Sequence, residues 1–267
     1  MLLHAVALLV ALQVQGRVNR LISILETGAP AVGVWTGATA APRISKVLAT
    51  SDVDFIVADV EHDVYDFPTL RGFLLEVEDF SRRYRPEPRE APTVLVKLAH
   101  RAGWDPRYEI AETLKVGPAM GVWIPFVESA SDLEQAISAV RRAETTGLGG
   151  LNIPREHREP WPQNPAGELF VVAMIESAKG VEKAREIVGV PGLGAIEPVH
   201  LSEGDTKAIV SMCKEKGVYL ATEAEPEEVA ARVAEGYRLI HVGWDFNLLR
   251  KELDSRVSET RQKLKER

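Results

Sequence analysis

Eight short apolar runs recur between residues 31 and 244, each followed by a helix-length stretch, and this rhythm limits the fold more than any other feature. They are AVGVWTG (31–37), DFIVADV (54–60), TVLVKLA (93–99), GVWIPFV (121–127), FVVAMIE (170–176), GLGAIEP (192–198), VYLATEA (218–224) and RLIHVGW (238–244). Between them lie amphipathic segments such as SDLEQAISAVRRAE (131–144), AKGVEKAREIV (178–188) and EPEEVAARVAEG (225–236), charged on one face and aliphatic on the other. Eight strand–helix repeats predict a parallel TIM (β/α)8 barrel, a single α/β domain over residues 17–267. A doubly wound sheet would carry a Gly-rich phosphate turn after its first strand, and GVWTGATA (33–40) does not read G-x-G-x-x-G.

Composition narrows the function. The 32 basic and 39 acidic residues leave a net charge of -7 with no basic tract, which argues against a nucleic-acid partner. The single cysteine, Cys213, excludes an internal disulfide and any multi-cysteine metal site. MLLHAVALLVALQVQG (1–16) is too short to span a bilayer and has the length of a secretory apolar region, with Val14 and Gly16 as small residues for cleavage. Only His4 supplies a positive group ahead of the apolar run, so a packed N-terminal helix is the competing reading. The first reading places the protein in the periplasm or outside the cell, the second in the cytoplasm.

A parallel barrel presents its chemistry at the C-terminal ends of its strands. Those ends carry Trp35, then Asp59 with Glu61 and His62, Lys97 and His100, Glu176, Glu197 and His200, Glu223, and Trp244 with Asp245. Singly, each has a plain structural explanation, since a carboxylate caps a helix or pairs with a loop cation and a lone histidine is commonly a hydrogen-bonded core residue. Converging on one rim, they make a candidate site. IVADVEHD (56–63) begins as core and ends in ionisable groups. His62 exchanges protons near neutral pH, and Asp59 is spaced to orient it and raise its basicity.

With these residues placed, the chain resembles the HpcH/HpaI aldolase/citrate lyase family from about Asn19 to the last strand. The resemblance is carried by Gly33-Val34-Trp35, Asp59-Val60-Glu61-His62, Gly121-Val122-Trp123-Ile124-Pro125 followed by Val127, Met174-Ile175-Glu176-Ser177, and Gly243-Trp244-Asp245. It implies a metal-dependent pyruvate aldolase that cleaves or forms a 2-keto-4-hydroxy acid, with a small 2-keto acid and an aldehyde as reaction partners. It implies His62 as general acid/base steered by Asp59, Glu176 as a ligand of the divalent cation, and Trp35 with Val199 lining the substrate pocket. It also implies a homotrimer or homohexamer in which the last helix packs across subunits. PWPQNPAGELF (160–170) is similar to a stretch found in an exported branch of the family.

Three positions depart from the family pattern. Gly-Pro-x-Asp-Leu-Ser is here Glu197-Pro198-Val199-His200-Leu201-Ser202, so His200 replaces the second metal carboxylate. A Glu/His pair suits Mn, Co or Zn better than Mg. Val-Arg-Val-Pro is here Val96-Lys97-Leu98-Ala99, which keeps a cation to stabilise an enolate but loses the planar fork of arginine. Leu-Asp-x-Gly is here Leu114-Lys115-Val116-Gly117, with a base where the family's acid meets a neighbouring subunit's histidine. The segment 147–162, which carries His157, reads either as a lid or as a solvated connection. Two alternatives stand beside the metal aldolase: a metal-free Schiff-base aldolase through Lys97, activated by nearby Lys115 or His100, and a non-catalytic barrel that binds a small carboxylate.

Overall fold

The structure, a computed structural model, describes residues 17–37, 39–63, 65–85, 91–99, 105–143, 153 and 155–266. The apolar stretch 1–16 and His100 lie outside them. Every expected run forms a strand. In chain order the strands are β1 (Ala31–Thr36), β2 (Phe55–Asp59), β3 (Thr93–Lys97), β4 (Gly121–Ile124), a two-residue β5 (Pro160–Trp161), β6 (Leu169–Ile175), β7 (Ala195–Pro198), β8 (Tyr219–Glu223) and β9 (Leu239–Trp244). Parallel pairing runs β4-β3-β2-β1-β9-β8-β7-β6, and a β4–β6 ladder closes the ring into an eight-stranded barrel. β5 pairs with the start of β6 outside the ring.

The helices are α1 (Arg20–Glu26), α2 (Pro42–Thr50), α3 (Phe67–Tyr84), α4 (Arg107–Val116), α5 (Ala130–Arg142), α6 (Ala178–Glu182), α7 (Ala184–Val188), α8 (Glu203–Lys216), α9 (Val229–Ala234) and α10 (Asp245–Lys265). The single helix expected over 178–188 is split at Lys183, which leaves helical geometry. Hydroxyl and carboxylate caps start several of these helices: Asp66 accepts from the Thr69 N–H, Ser129 from the Asp132 N–H and Ser202 from the Asp205 N–H.

Strand alternation sorts the barrel into two cores. Ile56, Val94, Val96, Val122, Val171, Ala173 and Ile240 face the helices, whereas Phe55, Val57, Leu95, Trp123, Phe170, Val172, Ala221 and Leu239 fill the interior. Interior space is tight at its base. A Cβ added at Gly33 would lie 2.3 Å from the Phe55 ring, so glycine is what lets that ring fill the barrel.

Helix α1 stoppers the N-terminal end. Leu21, Ile22 and Leu25 are buried with the interior cluster, each contributing about 1.5–3 kcal/mol of apolar burial. Asn19 holds the stopper: its side chain accepts from the Ile22 N–H, its Nδ2 donates to the Glu168 carbonyl, and its N–H donates to the Glu168 carboxylate at 3.0 Å. The described part of 147–162 lies at this same end, because it links α5 to β6. The Glu168 N–H donates to the His157 carbonyl, and Arg17 reaches the Gly167 carbonyl. For the described residues of that segment, 153 and 155–162, the lid reading is corrected: they lie opposite the mouth, at the end of the barrel where helix-to-strand connections run.

Candidate active site

The same alternation that points Val57 and Leu95 inward delivers Asp59 and Lys97 to the mouth, and β2 and β3 set them side by side in register. Asp59 is fully buried and uses both oxygens. Oδ1 accepts the N–H groups of Glu61 (2.7 Å) and His62 (3.0 Å), which bends the chain sharply at the strand end. Oδ2 lies 2.9 Å from His62 Nδ1 and 3.2 Å from Lys97 Nζ. With Nδ1–H donated to Asp59, the acceptor nitrogen of the imidazole is Nε2. The His62 side chain is 58% exposed, so Asp59 orients a reachable base. Asp63, one residue on, accepts from the Thr39 N–H and hydroxyl (2.9 and 2.5 Å), tying this loop to the one after β1.

Lys97 is held from two sides. Its Nζ is 2.6 Å from Glu61 Oε2 as well as 3.2 Å from Asp59, and it lies 5.4 Å from the Trp35 ring centroid. An ammonium clasped by two buried carboxylates is an electrostatic partner and not a free amine. Lys115, invoked as an activating neighbour in the imine reading, pairs with Glu112 at the last turn of α4, the end remote from the mouth. No observation among the described residues favours imine chemistry.

On the opposite arc stands a group that the strand-end reading only half captured. Glu197 of β7 accepts from Trp123 Nε1–H at 3.1 Å through one oxygen and meets His241 Nε2 at 2.8 Å through the other. His241 falls inside RLIHVGW and so escaped a search confined to strand ends. Its signal was parity with inward Leu239.

Glu176 follows β6, half-buried, and one of its oxygens accepts the Phe126 N–H at 2.8 Å. Burial pushes its carboxyl above the ordinary glutamate range; the Phe126 bond and Lys97 pull it back, and Glu61 and Glu197 push it up again. Phe126 (φ 51°) and His200 (φ 53°) are the two non-glycine residues in left-handed backbone among those described, and both line the mouth. Such strain concentrates where a site fixes its side chains.

These residues enclose a cavity of about 460 Å³. Trp35, His62, Lys97, Glu176, Val199 and His200 all line it, and Asp59 supports it from behind; the structure thus brings the expected site residues together. Four glutamates (Glu61, Glu176, Glu197, Glu223) share the wall with one lysine that is already paired.

The profile of one family, described as HpcH/HpaI aldolase/citrate lyase, matches residues 32–205. The chain belongs to the HpcH/HpaI family. A hydroxypyruvate/pyruvate aldolase of Delftia acidovorans is 29% identical over 257 residues, covering 87% of this chain and 88% of its own. A 2-dehydro-3,6-dideoxy-6-sulfogluconate aldolase of Pseudomonas putida is 23% identical over 250 residues, covering 85% and 91%. Among solved structures, an HpcH/HpaI family protein from Burkholderia cenocepacia superposes with a TM-score of 0.68 at 20% identity, covering 87% of this chain and 95% of that one, a likeness of fold.

Family membership makes this an aldolase/lyase scaffold and raises the question of its divalent cation. Among the described residues no three His, Cys, Asp or Glu side chains converge as a metal cage. Glu176 and His200 nevertheless share the cavity wall, and the excess of carboxylates there favours a cation. A carboxylate and an imidazole are the donor types that would suit a borderline divalent ion.

Proposed function

We propose that the protein is a divalent-metal-dependent aldolase that breaks or forms the bond between C3 of a small 2-keto acid and the carbon of an aldehyde. The observation that carries this reading is the buried Asp59 carboxylate, which fixes His62 through Nδ1 at the wall of the cavity and holds the Lys97 ammonium beside it. Glu176 and His200 would hold the cation, which would supply Lewis acidity at the keto oxygen. In cleavage, His62 Nε2 takes the proton of the C4 hydroxyl as the C3–C4 bond breaks. The bonding pair passes to the keto-acid fragment as its enolate, with Lys97 placed to stabilise the negative charge, and a proton returned to C3 completes the product. Trp35 and Val199 form the apolar wall that positions the keto acid.

Metal analysis after dialysis against Mn, Co, Zn or Mg tests the reading. Stoichiometric metal, retained by the wild type and lost by the Glu176→Ala/His200→Ala pair, is the expected result; no retention with any ion removes the metal. Occupancy also depends on pH with a definite sign. Protons compete for Glu176, whose carboxyl titrates above the usual range, so lowering the pH releases metal earlier than an ordinary carboxylate would. Release at the same pH from wild type and Glu176→Gln would count against Glu176 as ligand.

The reading includes assembly as a homotrimer or homohexamer. Of the 21 residues of α10 only Asp245 is buried, and Phe246, Leu249 and Leu253 are more than half exposed. An apolar groove of about 570 Å³ runs between α2 and the start of α10, lined by Ile44, Val47, Val242 and Leu249. An apolar stripe and groove of this kind are covered by another copy. Light scattering is expected to give a multiple of the chain mass, reduced to one chain by Leu249→Glu/Leu253→Glu; a wild-type monomer overturns the assembly.

A further inference from the structure

β9 does not run straight, and its irregularity decides where Trp244 goes. Along β1 the ladder partners are Gly33 with His241 and then Trp35 with Trp244, so two steps on β1 face three on β9. The extra residue makes a bulge at Val242–Gly243, and Gly243 takes a φ of 95°, in the left-handed region that glycine reaches without strain. Alternation from inward Leu239 and His241 would turn residue 243 into the barrel and residue 244 out toward the helices. The bulge reverses that phase: Trp244 packs against the interior cluster, opposite Trp35, and lines the mouth.

Bulges beside active sites re-aim side chains, and here the re-aimed side chain meets the proposed acid/base. The Trp244 and His62 rings lie edge to face, with centroids 6.1 Å apart and planes at 70°. That is inside the separation of about 4.5–7 Å that aromatic pairs favour. Trp244 is itself braced. Trp35 and Phe246 each stand 5.4 Å from it, centroid to centroid. The loop after β1 closes in as well, where a Cβ added at Gly37 would lie 3.1 Å from the indole.

His62 needs a second support. Asp59 holds the imidazole at Nδ1, while the nearest carboxylate oxygen to Nε2, from Glu61, stands 4.0 Å away and the side chain is 58% exposed. The terminal torsion of a histidine is broad, so a ring tethered at one nitrogen still swings and carries Nε2 with it. A braced indole set steeply against the ring restricts that swing. We infer that Trp244 is a positioning residue for His62, brought to the mouth by the β9 bulge to fix the plane of the imidazole that Asp59 anchors. This rests on the aldolase reading for what the imidazole does, and on the ring geometry for how it is held.

The test uses the Zn-loaded full chain with pyruvate and glycolaldehyde, comparing wild type with Trp244→Leu, Trp244→Phe, His62→Gln and the His62→Gln/Trp244→Leu pair. Trp244→Leu should lower kcat by about 10–100-fold, the scale set by a catalytic group misplaced by about 1 Å, with KM for pyruvate little changed. Trp244→Phe keeps an aromatic ring and should recover most of the loss. The pair should be no slower than His62→Gln alone, because a residue that acts through His62 then has nothing left to position. Proton NMR reads the same contact without turnover. The Nδ1–H resonance of His62, identified by its absence from His62→Gln, should be sharp in wild type and Trp244→Phe and broadened by exchange with water in Trp244→Leu. Losses that add in the pair, a rise in KM in place of a fall in kcat, or an unchanged Nδ1–H resonance in Trp244→Leu overturns the positioning role. A wild type without aldol turnover removes the aldolase reading alone; the NMR comparison then decides, broadening in Trp244→Leu supporting the role and an unchanged resonance overturning it.

Discussion

Replacing His62 by glutamine should lower kcat/KM for aldol cleavage by about 10²–10⁴-fold, the range of a positioned acid/base. Thermal stability should change by no more than about 0.5 kcal/mol, because the His62 side chain is 58% exposed and Asp59 keeps its two backbone N–H groups and Lys97. The separation of the two effects identifies a chemical role, and added imidazole restoring part of the activity would place the missing group at that position. A His62→Gln enzyme with wild-type turnover sinks the assignment and transfers suspicion to the Glu197–His241 pair, the other histidine–carboxylate unit of the cavity.

Lys97→Met should be the most damaging single substitution for folding. Lys97 is the shared cation of Asp59 and Glu61, whose side chains are 0% and 3% exposed. Methionine fills comparable volume but leaves two carboxylates facing each other without it. Breaking such a buried network costs about 3–5 kcal/mol, much of the 5–15 kcal/mol typical of a domain. Urea unfolding measures it, with Lys97→Arg as the charge-conserving control. Equal midpoints for wild type and Lys97→Met would show that these carboxylates are neutralised in another way. Borohydride in the presence of pyruvate should leave no adduct on Lys97, in keeping with a nitrogen engaged by two acids.

The barrel was legible because its signal is repeated and local. Each run from AVGVWTG to RLIHVGW carries apolar and β-branched residues bounded by helix-forming segments, and closure follows once eight such units are parallel. Asp59, His62 and Lys97 were legible because strand ends in this fold face the mouth. The Glu197–Trp123–His241 set was harder, since its members come from three separate strands and His241 looks like one more residue of a buried run. Inward parity marks all three, but which of them touch depends on barrel register, and register arises from pairings that no single run encodes. Segment 147–162 was open for a related reason: whether a loop overlooks the site depends on which end of the barrel it joins.

The packed interior of Phe55, Leu95, Trp123 and Phe170, seated on the α1 stopper, leaves the cavity as a blind-ended cup, and a cup imposes an order of events. In the proposed reaction a keto acid seated deep in the cup, beside Trp35 and Lys97, would have to enter before the aldehyde closes over it, and in cleavage the aldehyde would have to leave first. Steady-state kinetics should accordingly be sequential and ordered, with the keto acid as last product out and a competitive inhibitor only of its own binding. The apolar layer beneath the mouth, far from any reacting atom, would thereby set the traffic of the proposed reaction by closing its other end.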